Sequence, residues 1–166
     1  MSSVPSPTDS NAPRRRRRLT TETKDALREL NNQLSLLNRQ VSTHLEVKDV
    51  DLDCLELITR HGPVSPSALA RRVGLHPATL TGILDRLQRG GWIIRDREPN
   101  AADRRAVSVR ALRERNGEVY RLYAGMNTAM DQICADYTEA QLELLADFLR
   151  RVNQAGEQAT DELAGG

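Results

Sequence analysis

The sequence predicts a mainly α-helical protein that carries one small β-ribbon. Two short segments with apolar stripes lie on either side of a glycine at residues 65–90, and two runs rich in β-branched residues follow at 92–97 and 106–110. Longer apolar stripes, spaced three or four positions apart, lie on both sides of this region. We therefore predict a winged helix-turn-helix domain, in which a β-ribbon follows two helices, with additional helices at both ends of the chain.

The first eighteen residues are predicted to form a disordered basic arm. Residues 1–13 are rich in Ser, Pro and Asn and offer little to bury, and residues 14–18 are five consecutive arginines. Such an arm could follow the phosphates of DNA and add salt-dependent affinity, or it could be only a solubilising tail. The sequence leaves both interpretations open.

The next predicted helix, over residues 19–48, has a narrow apolar stripe along its length. Such a stripe is typical of a helix that packs against another helix, so we predict an N-terminal dimerisation helix. The stripe consists of Leu27, Leu30, Leu34, Leu37, Val41 and Leu45.

The winged domain is predicted over residues 49–112. It begins with a helix that Asp49 or Asp51 can cap and that ends at His61-Gly62-Pro63. Val64 is then expected to form one rung of a third, very short strand.

Local start and stop signals define the two helices of the helix-turn-helix unit. Ser65 can cap the first helix, Pro66 suits its first position, and Gly74 can adopt the left-handed conformation that ends it. His76-Pro77 opens the second helix, and Gly90-Gly91 ends it. The buried face of this second helix is predicted to consist of Leu80, Ile83, Leu84 and Leu87.

The opposite face of the second helix has the composition of a surface that contacts DNA. Small residues let a helix backbone approach the floor of a groove, and hydroxyls and arginines can contact base edges or phosphates. Asp85 and Arg89 could instead pair with each other across one turn. The residues that face away from the core, including two on the flanks, are Ala78, Thr79, Thr81, Gly82, Asp85, Arg86 and Arg89.

The two β-branched runs form the predicted wing. The turn-rich tip between them, residues 99–105, contains the adjacent arginines Arg104 and Arg105. An arginine at the tip of such a ribbon can enter the minor groove, where the negative potential of DNA is strongest.

From roughly residue 27 to residue 152 the chain resembles the MarR family of bacterial transcriptional regulators. Two segments carry the resemblance: LARRVGLHPATLTGILDRLQRGGWIIR, and the D-x-R pattern at Asp103 and Arg105 in the wing. The sequence departs from the family where Ala111 to Gly117 replace its usual Leu-Thr helix start, and where Gly82 replaces a larger polar or basic side chain. With the residue pattern, the resemblance implies this DNA-binding set: Ser65, Ser67, His76, Ala78, Thr79, Thr81, Gly82, Arg86, Asp103, Arg104 and Arg105.

Two further helices, over residues 113–156, are predicted to complete the dimerisation region. Thr138 and Gln141 have the spacing of a capping box at the start of the last helix, and residues 157–166 are expected to fray. Because the winged unit is too small to cover three long apolar helices, we expect a two-fold homodimer that binds a pseudo-palindromic operator.

The charges are sorted along the chain although the net charge is only +1. Residues 60–113 contain eleven arginines and four acidic residues, a net charge of +7, whereas residues 136–162 carry −5. A basic segment beside an acidic one is typical of a DNA-facing domain joined to an assembly domain.

The sequence contains no recognisable enzymatic or metal-binding constellation, so neither catalysis nor a cofactor is expected. It also lacks a long apolar run, which favours a cytoplasmic protein. Two cysteines in a reducing compartment are usually buried thiols, although some relatives sense oxidants through cysteine. A redox-responsive regulator acting through Cys54 or Cys134 is therefore one alternative, and a winged-helix adaptor that does not bind DNA is another.

The family resemblance also implies a small-molecule effector, bound where the dimerisation helices meet the winged lobe. The residues that could line such a pocket are His44, Asp53, Arg60 and Tyr123. The resulting prediction is a homodimeric, ligand-responsive transcriptional repressor, the sign of regulation being taken from the family.

Overall fold

A computed structural model describes residues 11–97 and 107–164. It contains six helices and two strands within those ranges. In chain order these are α1 (Ala12–Leu45), α2 (Asp49–His61), α3 (Pro66–Val73), α4 (Pro77–Arg89), β1 (Ile93–Arg97), β2 (Val107–Ala111), α5 (Arg113–Ala135) and α6 (Glu139–Ala164). The chain divides into two compact units, one up to Gln40 and one from Val41 onward.

The first unit consists of α1 up to Gln40, and the helix includes all five consecutive arginines. The prediction of a disordered arm up to residue 18 is therefore wrong for residues 12–18. Pro13 is tolerated because it lies in the first helical turn, and arginine has a good helix propensity. Arg18 also pairs with Glu22 one turn later, at 3.3 Å from Nε to Oε1.

The core of the second unit lies between α2, α3, α4 and the β-ribbon. All four apolar residues predicted for the inner face of α4 are buried there. Burial of this many aliphatic side chains and one tryptophan fixes the three helices against the ribbon. The core includes Leu55, Ile58, Leu69, Leu80, Ile83, Leu84, Leu87, Trp92, Ile93 and Val109.

The predicted start and stop signals of α3 and α4 are confirmed. The Ser65 hydroxyl accepts a hydrogen bond from the backbone N–H of Ala68 at 3.2 Å, and Gly74 ends α3 with φ 64°. Nδ1 of His76 accepts from the N–H of Ala78 at 3.3 Å, so this histidine caps α4.

The predicted cap of α2 is wrong. Lys48 occupies the N-cap position without a side-chain cap bond, and Asp49 is already the first helical residue. Asp51 is buried, with 3% of its surface exposed, because it pairs with a residue of α4.

The ribbon is antiparallel, with Ile93 opposite Ala111 and Arg97 opposite Val107. Val64 forms an isolated bridge to Val109, which confirms the predicted single rung of a third, very short strand. The tip of the wing lies outside the described residues.

The last helix is longer than predicted. The α5 helix starts at Arg113, and α6 continues to Ala164, so the predicted frayed tail is wrong for residues 157–164. The capping box of α6 is confirmed: Oε1 of Gln141 accepts from the N–H of Thr138 at 2.8 Å, and the Thr138 hydroxyl accepts from the N–H of Gln141 at 3.3 Å. Among the described helices, none is long and apolar enough to cross a membrane.

Candidate nucleic-acid interface

The outward face of α4 is open along its first two turns. Ala78, Thr79 and Thr81 are exposed, and the hydroxyl of Thr81 donates to the carbonyl of Pro77 at 2.9 Å. At Gly82, a Cβ atom would have only Nη1 of Arg86 as a neighbour beyond the backbone of its own helix, at 3.7 Å. The helix backbone can therefore be approached closely from this side.

Three more residues of the predicted set lie at the starts of α3 and α4. Ser65, Ser67 and His76 are all exposed, and the hydroxyl oxygens of the two serines are 3.2 Å apart. Ser65 and His76 also cap their helices, so each has a structural role that does not depend on DNA. Helix N-termini present free backbone N–H groups, which are suited to binding phosphate.

Arg86 has a partner that the sequence did not indicate. Its Nε and Nη2 atoms bind the two carboxylate oxygens of Asp51 at 2.8 Å and 2.6 Å. This bidentate ion pair joins α4 to the first turn of α2 across 35 residues of sequence. Arg86 therefore has a structural role, and two of its five N–H donors are already used by Asp51.

Asp85 pairs with a residue of the ribbon and not with the side chain of Arg89. Its Oδ1 atom binds Nη2 of Arg95 in β1 at 2.6 Å, whereas Nε of Arg89 donates to the backbone carbonyl of Asp85 at 3.3 Å. Within the ribbon, Arg110 binds Asp96 of the opposite strand at 2.6 Å. The first pair joins β1 to α4, and the second joins the two strands of the ribbon.

The predicted contacts of the wing tip stay predictions. Asp103, Arg104 and Arg105, which the sequence assigns to the minor groove and its support, lie outside the described residues.

The start of α5 is attached to the turn that follows α4. The guanidinium of Arg115 lies over the indole ring of Trp92, 3.8 Å from the ring centroid, and donates to the carbonyl of Gly90. Glu118 binds the same guanidinium with both carboxylate oxygens, each at 3.3 Å. The backbone N–H of Leu112 donates to the carbonyl of Trp92 at 2.9 Å.

A cleft of ≈ 670 Å³ lies between α2 and α5. Of the four predicted ligand-binding residues, Arg60 and Tyr123 line it, whereas His44 and Asp53 do not. Most of the lining could not be predicted from the sequence. The lining depends on which residues of α2 and α5, two helices far apart in sequence, face each other. The lining residues are Leu55, Glu56, Thr59, Arg60, Asn116, Gly117, Val119, Tyr120, Tyr123 and Asn127.

The polar groups of the cleft interact with one another. The hydroxyl of Tyr123 donates to Oε1 of Glu56 at 2.9 Å, and burial together with this bond raises the pKa of the tyrosine well above its usual value. Beside the cleft, partial burial and the nearby carboxylates of Glu56 and Asp49 raise the pKa of Asp53.

The two cysteines differ in exposure. Cys54 is fully buried, and burial together with the carboxylates of Asp51 and Asp53 raises the pKa of its thiol to about 11. Cys134 is half-buried. Within residues 11–97 and 107–164, no group of three or more His, Cys, Asp or Glu side chains could hold a metal ion.

Part of the chain matches a known family model. Residues 48–107 match the MarR family model. The chain is 26% identical over 136 residues to the uncharacterised HTH-type transcriptional regulator YcgE of Bacillus subtilis, covering 82% of this chain and 87% of the relative. It is also 26% identical over 94 residues to the HTH-type transcriptional repressor YetL of the same species, covering 54% and 55%.

Solved structures of other proteins have the same fold. The transcriptional regulator Tm0710 of Thermotoga maritima superposes with a TM-score of 0.60 at 23% identity, covering 85% of this chain and 98% of that one. Streptococcus pneumoniae FabT, solved in complex with DNA, superposes with a TM-score of 0.60 at 19% identity, covering 84% and 99%. Residues 48–107 therefore correspond to a MarR domain, and the chain has the winged-helix fold of solved MarR structures.

Proposed function

We propose that the chain is a homodimeric repressor that binds a pseudo-palindromic operator and releases it when a small molecule occupies the cleft between α2 and α5. The observation that carries this proposal is the combination of an open outward face on α4 with apolar helix faces that nothing in the described chain covers. The first feature supplies one unit that contacts DNA, and the second supplies the reason for two copies of it.

The uncovered apolar faces support a homodimer. Large hydrophobic side chains are exposed along α1, α5 and α6, and soluble monomers rarely expose apolar patches of this extent. A two-fold dimer would bury the same surfaces on both copies. The exposed residues include Leu30, Leu34, Met130, Ile133, Leu145, Phe148, Leu149 and Val152.

The proposed DNA contacts are those predicted from the sequence, with Arg86 in a modified role. Thr79 and Thr81 lie where α4 is most open, and each contact to a base edge would contribute ~1–3 kcal/mol of discrimination. Ser65, Ser67 and His76 would face the DNA backbone, together with Ala78 and Gly82, which permit close approach. Two copies of α4 would enter successive major grooves about 34–36 Å apart.

The cleft between α2 and α5 is the proposed effector site. It offers the rings of Tyr120 and Tyr123 together with the charged groups of Arg60 and Glu56, a mixture suited to a small amphipathic molecule. Because α5 is joined to the turn after α4 through Arg115, a ligand that shifts α5 would also shift α4. Such a ligand must bind the two arrangements with different affinity, since tight binding alone shifts nothing.

The similarity to YetL, a transcriptional repressor, supports repression over activation for this chain. The redox alternative is disfavoured at Cys54, because a buried thiol with a raised pKa is a poor nucleophile.

Selection of bound duplexes from a random-sequence DNA library, together with sedimentation of the free protein, tests the proposal. We expect the enriched duplexes to contain two half-sites related by a two-fold axis, and the protein to sediment as a dimer at micromolar concentration. A monomer, or a library from which no sequence is enriched, would contradict it.

A further inference from the structure

The outward face of α4 contains one open position and, beside it, one arginine nitrogen. An ideal Cβ atom at Gly82 would lie 3.7 Å from Nη1 of Arg86 and, apart from the backbone of its own helix, would have no other described atom within 4 Å. The guanidinium of Arg86 therefore extends back along α4 to the position where a side chain is missing.

The orientation of this guanidinium is fixed by Asp51. The carboxylate of Asp51 is almost completely buried, with 4% of its side chain exposed, whereas the side chain of Arg86 is 36% exposed. Both carboxylate oxygens are engaged, one by Nε and the other by Nη2. A planar guanidinium bound at two points has one geometry, so the direction of its third nitrogen is determined.

That third nitrogen, Nη1, is the one that Asp51 leaves available. In the described part of the chain no hydrogen bond is formed by Nη1, and the one buried side-chain nitrogen or oxygen without a partner there belongs to Arg95. Because Nη1 has no hydrogen-bond partner and is not among the buried unpartnered side-chain atoms of the described chain, it is reached by solvent. It presents two N–H donors on the side of α4 that faces away from the core.

We propose that Asp51 is a positioning residue for DNA recognition, which holds Arg86 so that Nη1 donates to an acceptor atom of DNA across the gap at Gly82. The acceptor is either a guanine edge or a phosphate oxygen, both of which arginine binds. The proposal rests on the DNA-binding function proposed above and adds to it a residue on α2 that does not itself face DNA. An arginine held in place before binding loses less side-chain entropy on binding.

The test compares Asp51→Asn, Arg86→Lys and the double variant on a duplex that the wild-type chain has enriched from a random library. We expect Asp51→Asn to weaken binding by about tenfold, since asparagine cannot accept both arginine N–H groups. Once Arg86 is lysine, we expect the change at Asp51 to have no further effect on affinity. This non-additivity is expected because the two residues act as one pair, and Gly82→Ala, which leaves the pair intact, separates a role in DNA contact from a purely structural one.

A scrambled duplex of the same length and composition separates the two acceptors. A loss confined to the enriched duplex indicates a guanine edge, whereas an equal loss on both duplexes indicates a phosphate oxygen. Both outcomes support the proposal and differ only in the atom that Nη1 contacts.

Gly82→Ala supplies a test that does not depend on the stability of the ion pair. Alanine in a helix is more stable than glycine by about 1 kcal/mol, and a Cβ at 3.7 Å from Nη1 makes an ordinary contact, so this variant should fold well. Its methyl group would occupy the gap, and we expect binding to the enriched duplex to fall several-fold. Gly125→Ala, in α5 with open space around it, is the matched control and should bind normally.

The proposal is overturned if folded Asp51→Asn binds the enriched duplex as tightly as the wild type, or if its effect and that of Arg86→Lys simply add. Should Asp51→Asn fail to fold, normal binding by Gly82→Ala overturns the proposal and weaker binding supports it. Failure of the proposed function has a different signature, because the wild-type chain would then enrich no duplex.

Discussion

Arg115 at the start of α5 lies against the face of the Trp92 ring, with 3.8 Å between the guanidinium carbon and the ring centroid. The same guanidinium binds the carbonyl of Gly90, the residue that ends α4. One side chain thus connects the helix that lines the cleft to the end of the helix that is proposed to contact DNA. A rigid connection at this position would set the distance between the two copies of α4 in a dimer.

Arg115→Ala should therefore have two effects. Removal of the ring contact and of a charge-assisted hydrogen bond should lower the free energy of unfolding by about 1–2 kcal/mol, measured by urea denaturation. Affinity for a complete palindrome should fall several-fold more than affinity for a single half-site, because the spacing of the two copies of α4 becomes less defined. Arg121→Ala, an exposed arginine on the same helix, is the control and should change neither quantity. Equal losses on the half-site and the palindrome would contradict this role.

The helix-turn-helix unit could be predicted from sequence because its determinants are local. Ser65, Gly74 and His76 act on backbone groups within four residues of themselves, so the residue types alone indicate the caps. The Asp51–Arg86 pair could not be predicted, since the two residues are 35 positions apart and the register of α2 against α4 depends on packing. The lining of the cleft could be predicted only in part for the same reason.

The prediction for the start of α1 failed for a different reason. Five adjacent arginines repel one another, which favours disorder, but each is also a good helix former, and α1 continues through them. A helical conformation is compatible both with binding to DNA phosphates and with a solubilising role.

Replacing Arg14 to Arg18 by glutamine tests that role. Glutamine preserves helix propensity, so α1 should stay intact by circular dichroism. If these arginines bind phosphates, the slope of log K against log salt should become less steep by about 0.9 for each phosphate that is no longer neutralised. Replacement of Arg150 and Arg151 in α6 by glutamine gives a charge control that should leave the slope unchanged. An unchanged slope in the five-residue variant would leave only the solubilising role.

Gly62→Ala should destabilise the winged domain. A Cβ atom at this position would collide with the backbone carbonyl oxygen of Ile58, which is fixed within α2 and cannot move aside as a flexible side chain could. We expect a decrease of about 1–3 kcal/mol in the free energy of unfolding, typical of overpacking. Gly117→Ala, which has open space around it in α5, should show no such decrease. A Gly62→Ala variant as stable as the wild type would contradict the observed approach of α2 to residue 62.

Cys54 should resist alkylation in the folded protein. Its pKa is raised from 9.0 to about 11, mainly by burial, so the reactive thiolate is scarce at pH 8 and the sulfur is also shielded from the reagent. The folded form holds the thiol proton more tightly than the unfolded form does. The contribution of Cys54 to the free energy of unfolding therefore decreases as the pH rises from 9 toward 11. Iodoacetamide at pH 8 followed by mass spectrometry should label Cys54 only after unfolding, and Cys54→Ser should weaken the decrease of stability at high pH. Rapid labelling of native Cys54 would reopen the redox alternative.

The wing arginines provide the most direct test of the proposed interface. If Arg104 or Arg105 enters the minor groove, its replacement by alanine should weaken operator binding by about tenfold while the dimer stays intact by sedimentation. If Asp103 binds the other arginine within the ribbon, that arginine acts by stiffening the wing. Asp103→Ala should then weaken operator binding as much as replacement of that arginine does. Arg110→Ala separates these cases, because Arg110 pairs with Asp96 across the two strands and its removal loosens the wing without removing a tip charge. If both tip variants bind the operator as tightly as the wild type, neither arginine makes the minor-groove contact. The sequence preference would then depend on α4 alone.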